Sequence, residues 1–453
     1  MIDTITHEGE SQISNTNLRI NKENVVERVD EYMQAMVRLG KFSGSVLLAQ
    51  DGGVIHAAGY GFANRELGVS NSRLTKYRIA SISKQFTAFA IMILHEQKKL
   101  SLDDPIRKHL DYSPDSWKDI SIHNLLNHTA GLAASTESEY TRKMPMTVRE
   151  LVETFRSKPL DFKPGTDWCY ANTGYVLLGD IIQRVSGISY EDFLTEHIFN
   201  PLEMFDTGCD CYSTVLANRA TGYWGKVSDK WVKSDYADMS FYFGSGSLYS
   251  TVDDLYRWEQ ALSTGRLLSK ESHLRMITPT PLLANYGYGF FLGQQNSRRT
   301  IHHAGGLWGF RSNFVRFPDD DACIIVLSNL QTSDFYGVSN NLRSILFGED
   351  YQVPAVEKTV DIAIDILDSY AGIYQVIPGL ILKIDRKGGG LFVTSGKAQR
   401  SFKPKSENAF FREESDDALV FHKTEEGNIS HVVIRQGDTD IVARFVNQHL
   451  NAQ

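Results

Sequence analysis

The sequence predicts a domain that mixes helices and strands, followed by a small antiparallel all-β module. Up to about residue 350, segments with apolar residues at helical spacing alternate with short apolar strands. From Tyr370 onward, short alternating strands follow one another with Gly or Asp between them, and no helical pattern interrupts them. A chain of 453 residues is long enough for one large domain and a small one.

The composition is that of a globular protein. Hydrophobic residues make up 42% and charged residues 23%, a balance that excludes a disordered chain. The net charge is −8 and the sequence has no long basic run, which argues against nucleic acid or an anionic membrane as a partner. We therefore expect a small-molecule or peptide substrate, with a homo-oligomer left open.

The N-terminal residues and the cysteines set further expectations. Met1–Asn24 is polar and lacks an apolar run of signal-peptide length, so we expect a flexible tail over residues 1–23 and a cytoplasmic location. A secreted protein whose signal peptide had been removed would have the same features. The four cysteines lack the spacing of a zinc site, so free thiols, no metal and no cofactor are expected.

The elements of the large domain are predicted in chain order. Apolar spacing predicts a helix over Asn24–Leu39, and Asp51-Gly52 between two apolar runs predicts a hairpin. Ser81–Lys99 is apolar nearly all round, which predicts a central, buried helix. Further helices are predicted at Ile122–Leu126, Val148–Phe155, Tyr175–Val185, Tyr190–Ile198 and Asp253–Leu262, and further strands at Ile301–His303, Asn313–Phe317 and Cys323–Ser328.

Eight short strands are predicted in the C-terminal module, which favours a small barrel or sandwich. They lie near Tyr370–Tyr374, Leu380–Ile384, Leu391–Thr394, Arg400–Pro404, Ala409–Phe411, Leu419–His422, His431–Arg435 and Ile441–Phe445. The predicted organisation is a large domain over residues 24–353, a linker over 354–368 and the β module over 369–453.

Three short motifs carry side chains that could take part in nucleophilic catalysis. Ser81 and Lys84 are three residues apart at the start of the buried helix, so they share a face. A lysine removed from water can take the proton that makes a serine nucleophilic. Tyr170 and Asn172 form the second motif, on a predicted loop, and the third, His303–Gly306, reads H-A-G-G at a strand end. Each motif alone is more often purely structural.

Together, the motifs resemble those of the serine β-lactamase and penicillin-binding-protein superfamily. More narrowly, they look like its class C β-lactamase and D-aminopeptidase/esterase branch. Leu125–Leu132 reads L-L-N-H-T-A-G-L, Tyr170–Tyr175 reads Y-A-N-T-G-Y, and Gly305–Phe310 reads G-G-L-W-G-F. The resemblance implies an α+β fold, with an antiparallel sheet flanked by helices plus an all-helical subdomain. The β module looks like the lipocalin-like barrel of some relatives.

The resemblance also implies roles for individual residues. Ser81 would be the acylated nucleophile, and Lys84 and Tyr170 would move protons, with Tyr170 held partly as phenolate by the ammonium. The backbone N–H groups of Ser81 and Gly306 would form the oxyanion hole. The substrate-binding residues would be Asn172, His303, Ala304 and Gly305.

One departure from the family pattern bears on the substrate. His303 and Ala304 stand where β-lactamases have the lysine and threonine of K-T-G, which weakens recognition of a carboxylate. We therefore expect an esterase or a D-amino-acid-specific peptidase rather than a β-lactamase or a D-Ala-D-Ala carboxypeptidase. An acyltransferase or peptide cyclase would use the same acyl-enzyme, and a non-catalytic binding protein could share the scaffold.

An aromatic-rich stretch between residues 231 and 249 allows two interpretations. It contains Trp231, Tyr236, Phe241, Tyr242, Phe243 and Tyr249. These rings either pack in the core or form an aromatic wall of the substrate cleft.

Overall fold

The computed structural model describes most of the chain and resolves two units of regular structure. It describes residues 22–135, 144–211, 213–227, 230–280, 282, 285–355, 358–377, 380–395, 398–412, 417–436 and 439–447. Nearly all of the predicted N-terminal tail lies outside these residues.

Ten α-helices lie in the described part of the chain. They are α1 Lys22–Arg38, α2 Ser83–Glu96, α3 Ile122–Leu126, α4 Val148–Glu153, α5 Asn172–Ser186, α6 Tyr190–Leu194, α7 Val252–Thr264, α8 Lys270–Met276, α9 Phe335–Leu346 and α10 Ile364–Ser369. Helix α10 stands at the end of the segment predicted as a linker, and its Leu367 is buried against the barrel core.

The strands of the large domain are β1 Gly44–Gln50, β2 Gly53–Tyr60, β3 Phe62–Asn64, β4 Val69–Ser70, β5 Tyr77–Arg78, β6 Gly208–Cys209, β7 Tyr223–Val227, β8 Lys230–Lys233, β9 Leu248–Ser250, β10 Phe291–Gln295, β11 Arg298–Leu307, β12 Phe310–Phe317 and β13 Ala322–Ser328. Six of them form one sheet in the order β10-β11-β12-β13-β1-β2, and every neighbouring pair in it is antiparallel.

The main sheet is covered on both faces, which explains why its central strands are continuous apolar runs. In β1, Val46 and Leu48 face a core shared with α1 and α9, whereas Leu47 and Ala49 face a larger core shared with the other helices. Helix α2 runs through this larger core, and every residue from Ser83 to Leu94 is buried. The predicted central helix is therefore confirmed.

The C-terminal module is a closed antiparallel barrel of eight strands in chain order, in which β14 also pairs with β21. The strands are β14 Gly372–Ile377, β15 Leu380–Lys387, β16 Gly390–Ser395, β17 Ala398–Pro404, β18 Ala409–Phe411, β19 Ala418–Lys423, β20 Ile429–Gln436 and β21 Thr439–Asn447. Each overlaps a predicted strand. Pairing of the first and last strands leaves no free edge, a property of a barrel and not of a sandwich.

Candidate active site

Ser81 lies in a single 3₁₀ turn, Ala80–Ile82, that immediately precedes α2. The preceding residue, Ala80, has a φ of +49°, a left-handed conformation that costs a non-glycine residue about 1–2 kcal/mol. Two hydrogen bonds hold the turn: Ile79 N–H donates to the Leu248 carbonyl (3.0 Å), and Ser312 Oγ donates to the Ile79 carbonyl (2.8 Å). The turn is thus fixed against the sheet, ahead of the helix and not inside it.

Lys84 is completely buried one turn further along. Its Nζ donates hydrogen bonds to Asn172 Oδ1 (2.8 Å) and to the Ser245 carbonyl (2.8 Å), and it lies 3.2 Å from Ser81 Oγ. An amide oxygen and a carbonyl oxygen can only accept, whereas a hydroxyl can also donate. With two N–H groups directed at the two carbonyl-type oxygens, a neutral amine would turn its lone pair toward the Ser81 hydroxyl.

Tyr170 and Asn172 approach Lys84 from the start of α5. Lys84 Nζ is 4.8 Å from the centre of the Tyr170 ring, and Asn172 is the first residue of the helix instead of a loop residue. Burial raises the pKa of Tyr170 above its usual value, although a hydrogen bond to Ser81 acts in the opposite direction. Burial therefore favours the protonated phenol over the partial phenolate that the resemblance implied.

The third motif lies within a long strand, β11, and not at the end of a short one. His303 is 2% exposed, and burial, followed by the nearby Lys84 charge, lowers its pKa to about 3. The imidazole is therefore neutral. Its Nδ1 lies 2.7 Å from the Ala304 carbonyl, so Nδ1 carries the proton and Nε2 keeps its lone pair. Within the described structure, Nε2 has no hydrogen-bond partner.

Gly305 brings β11 against the turn that carries Ser81. A Cβ at this position would lie 2.3 Å from the Ile79 carbonyl oxygen and 2.4 Å from Ser312 Oγ, so no larger residue fits without movement. Gly306, the next residue, is exposed and pairs across the strands with Arg311. The structure thus brings all eight predicted site residues to one place, where β11, the Ser81 turn and the start of α5 meet.

Similarity to known proteins places the chain in a family. The family described as Beta-lactamase matches residues 26–348. The chain belongs to the β-lactamase family. The chain is 28% identical over 458 residues to Penicillin-binding protein 4* of Bacillus subtilis (strain 168), and the match covers 93% of this chain and 99% of that protein.

Two solved structures share the fold. The octameric penicillin-binding protein homologue from Pyrococcus abyssi has a TM-score of 0.65 at 23% identity, covering 92% of this chain and 99% of its own. The D-amino acid amidase from Ochrobactrum anthropi SV3, complexed with D-phenylalanine, has a TM-score of 0.64 at 24% identity, covering 72% and 99%. Both likenesses concern the fold.

His128 is a further site residue, and its position beside Tyr170 is evident only from the structure. Its Nδ1 accepts a hydrogen bond from Ala171 N–H (3.1 Å), and its carbonyl accepts one from Cys169 N–H (3.1 Å). The two bonds bracket Tyr170, whose ring centre is 4.4 Å from that of His128. Since Nδ1 accepts, Nε2 carries the proton and donates to Tyr286 Oη (3.0 Å).

The signal for His128 was present in the sequence without a role attached. It lies in Leu125–Leu132, a motif that contributed to the resemblance to the β-lactamase family. Ser245 left no such signal, because it binds Lys84 through its backbone carbonyl, which any residue possesses.

Two rings of the aromatic-rich stretch belong to the core. Phe241 is 2% exposed and Tyr242 is 7% exposed, and both lie in the large core, whereas Tyr236 is 42% exposed. Trp308 Nε1 donates to Tyr242 Oη (3.2 Å). Of the two interpretations, core packing therefore accounts for Phe241 and Tyr242.

The described residues bear on metal binding and on membrane insertion. They contain no group of three or more His, Cys, Asp or Glu side chains that could hold a metal ion. Among the described residues, no helix is both long enough and apolar enough to span a bilayer.

Proposed function

We propose that the protein is a serine hydrolase that acts on esters or amides through an acyl-enzyme on Ser81. The observation that carries the proposal is the completely buried Lys84, with its Nζ 3.2 Å from Ser81 Oγ and two carbonyl-type oxygens fixing its orientation. Activation of a hydroxyl requires a base within hydrogen-bond reach, and this geometry meets that requirement.

Acylation begins from the form of the enzyme in which Lys84 has lost a proton and is a neutral amine: Ser81 Oγ attacks the substrate carbonyl carbon, and its proton passes to Lys84 Nζ. The carbonyl oxygen takes up the negative charge, which the N–H groups of Ser81 and Gly306 stabilise. The Tyr170 phenol then gives its proton to the leaving nitrogen or oxygen as the tetrahedral intermediate collapses. The Lys84 ammonium returns a proton to the Tyr170 phenolate, which leaves an acyl-enzyme with both groups in their starting state.

Deacylation reverses the roles. Water attacks the acyl carbonyl carbon and gives one proton to Lys84, and the acid product leaves as Ser81 Oγ recovers a proton from the ammonium. If an amine or alcohol replaces water, the same steps give an acyl transfer or a cyclised peptide. We propose hydrolysis as the main reaction.

Ester or D-aminoacyl substrates fit the site better than substrates with a carboxylate beside the scissile bond. His303 is neutral because of its burial, and Ala304 offers no hydroxyl, so β11 presents neither a charge nor a hydroxyl donor to a carboxylate. The similarity of fold to a D-amino acid amidase supports the D-aminoacyl class. The octameric homologue likewise supports, as a proposal, assembly of this chain into a homo-oligomer.

A covalent label tests the proposal. A fluorophosphonate should add its phosphonyl group to the peptide that contains Ser81, and Ser81→Ala should abolish this adduct in intact-protein and peptide mass spectrometry. The Lys84→Met variant should label at least 100-fold more slowly, as expected when a general base is removed. Label on another residue, or equal labelling of Ser81→Ala, would refute the assignment.

Turnover of a substrate panel then separates the alternatives. Nitrophenyl esters and D-aminoacyl amides should be hydrolysed, and addition of a competing amine should leave free acid as the main product. Mainly aminolysis or cyclised product would show a transferase. Penicillin hydrolysis with a kcat/KM of about 10⁶ M⁻¹s⁻¹, typical of a good enzyme, would contradict the argument from His303 and Ala304.

A further inference from the structure

Arg311 is a half-buried arginine on β12, and it has no ion-pair partner among the residues that the structure describes. Its Nη1 donates one long hydrogen bond, to the carbonyl of the neighbouring residue Phe310 (3.4 Å). Burial lowers the pKa of the guanidinium, and no charge of a described residue opposes this effect. Removing a guanidinium from water without acceptors for its N–H groups is unfavourable, so this position favours binding of an anion.

Other arginines of the large domain that are largely buried bind carboxylates. Arg78 Nε lies 2.6 Å from an Asp210 oxygen, and Arg343 Nη2 lies 3.2 Å from a Glu349 oxygen. The fold thus supplies a carboxylate to each of these guanidinium groups. At Arg311, a carboxylate from a bound substrate would complete the same kind of pair.

Two neighbouring glycines of β11 connect Arg311 to the nucleophile. A Cβ at Gly306 would lie 2.6 Å from Arg311 Nη1, so the guanidinium covers the space that a side chain would fill. Successive residues of a strand face opposite sides, and Gly305 faces the turn that carries Ser81, where its Cβ would lie 3.0 Å from the Ala80 Cβ. Arg311 and the Ser81 turn therefore lie on either side of the same short piece of strand.

The outer edge of β11 is open at this point. Strand β10 pairs with β11 from Arg298 to His302, and in the described part of the chain no strand pairs with the rest of β11 on that side. Gly306 lies in this unpaired part and is exposed. A substrate along the edge can therefore reach both faces of the strand, with its scissile carbonyl at the Gly306 N–H and a further group on Arg311.

The order of residues along β11 assigns Arg311 to the acyl part of the substrate. Tyr170, which protonates the leaving group in the proposed reaction, lies beside His303, with ring centres 6.1 Å apart. Gly306 follows His303 by three residues, which is about 10 Å along a strand. Arg311 is therefore at the end of the site away from the leaving group, where the acyl part lies.

We propose that Arg311 binds a carboxylate on the acyl part of the substrate, so that the enzyme selects acidic acyl groups such as D-glutamyl. The inference rests on the proposed function, because it names the substrate class of the same site. A guanidinium can bind a carboxylate through two parallel hydrogen bonds, which adds specificity to the attraction of charge. His303 and Ala304, which offer a carboxylate neither a charge nor a hydroxyl, lie toward the leaving group, so the two arguments concern different parts of the substrate.

Two matched substrates test the assignment. D-Glutamic acid α-(4-nitroanilide) and D-glutamine 4-nitroanilide differ only in a carboxylate against a carboxamide. For the wild type, kcat/KM for the first should exceed that for the second by about 10- to 100-fold, as expected for hydrogen bonds to a charged group. Arg311→Gln should bring this ratio to about 1 and leave kcat/KM for the glutamine anilide within about threefold of the wild type. Arg311→Lys should give an intermediate ratio, because lysine keeps the charge without the two parallel donors.

Arg299→Gln is the matched control. Arg299 lies on β11, and its Nη2 donates to Asp319 Oδ1 (2.6 Å), so the variant removes the same charge from the same sheet and should leave the ratio unchanged. A wild-type ratio near 1, an unchanged ratio in Arg311→Gln, or an equal fall in Arg299→Gln would overturn the proposal.

A second pair of substrates places the charge in the leaving group instead. D-Alanine 3-carboxyanilide and D-alanine 3-carbamoylanilide should have the same ratio of kcat/KM in the wild type and in Arg311→Gln. If the dependence on Arg311 appears in this pair and not in the glutamyl pair, the assignment to the acyl part is wrong.

Binding to an inactive protein separates this proposal from that of the reaction. Titration calorimetry of Ser81→Ala should show D-glutamic acid α-amide binding at least tenfold more tightly than D-glutamine amide, and this preference should disappear in Ser81→Ala/Arg311→Gln. If the wild type hydrolyses neither anilide but the preference in binding is present, the reaction assignment fails and the role of Arg311 stands. If both anilides are hydrolysed at equal rates and the two amides bind equally, the role of Arg311 fails and the reaction stands.

Discussion

Replacing His128 tests whether this residue positions Tyr170 or merely fills space. His128→Leu removes the acceptor of the Ala171 N–H and the donor to Tyr286 Oη, two bonds of 3.1 and 3.0 Å. Ala171 is 4% exposed, so its N–H would be left unsatisfied at a cost of about 1–3 kcal/mol, and the second bond contributes about 1 kcal/mol. The free energy of unfolding should therefore fall by about 2–4 kcal/mol.

The effect on catalysis should be larger than this loss of stability explains. The bracketing bonds fix the loop that presents Tyr170, and a misplacement of about 1 Å can cost about 100-fold in rate. The kcat of His128→Leu, measured on folded protein well below its unfolding midpoint, should thus fall about 100-fold. KM should change far less, because Tyr170 acts on protons and not on substrate affinity.

The variant His128→Asn makes this prediction specific. Asn can place Oδ1 near the position of Nδ1 and tolerates the φ of +63° found at residue 128, so it restores the acceptor for Ala171 N–H. Urea unfolding and stopped-flow acylation with a nitrophenyl ester should show at least tenfold recovery of kcat relative to His128→Leu. If the two variants have the same kcat, or if His128→Leu is less stable but fully active, His128 has no positioning role.

Two further predictions concern Gly305 and His303. In Gly305→Ala, the new Cβ would lie 2.3 Å from the Ile79 carbonyl oxygen, so urea unfolding should show a loss of stability of about 1–3 kcal/mol and kcat should fall at least tenfold. The control Gly389→Ala has nothing within 4 Å of its Cβ and should match the wild type in both measurements. A wild-type kcat in Gly305→Ala would contradict the close approach. The pKa of His303, lowered to about 3 from 6.5, means that below pH 6.5 the unfolded chain binds a proton that the folded protein does not. The stability contributed by this neutral imidazole is complete above pH 6.5 and is lost as the pH falls toward 3. The free energy of unfolding of His303→Gln should therefore fall less than that of the wild type between pH 7 and 4.5. Equal losses would show that His303 titrates normally in the folded protein.

The barrel shows which parts of a fold can be predicted from local pattern. Its eight strands are short segments rich in apolar residues with Gly, Asp or other polar residues between them, so the strands were visible in the sequence. Closure was not, because it depends on β14 pairing with β21, in which Ile373 lies opposite Asn447. No short-range period reports a contact between residues so far apart, so the strand pattern alone left a sandwich open, and the barrel was expected from the resemblance.

The site was predicted from resemblance and not from periodicity. Ser81, Tyr170 and His303 lie on three elements that only the tertiary fold brings together, and nothing in the spacing of these residues requires that they meet. What the motifs did not reveal is the environment of each group. Burial of Tyr170 and His303 depends on rings contributed by distant segments, such as Tyr286, which packs against both. Their protonation states follow from that packing.

Three local conflicts in the structure meet at Ser81, and they argue for function independently of any resemblance. Lys84 is a fully buried amine in a helix whose residues from Ser83 to Leu94 are all buried. Ala80 adopts a left-handed conformation, and Gly305 approaches the Ile79 carbonyl more closely than any other residue could. Each feature is unfavourable for folding alone, and each contributes to holding one serine beside one amine. Natural sequences tolerate such conflicts where activity requires them, so their convergence on Ser81 is itself a reason to place the reaction there.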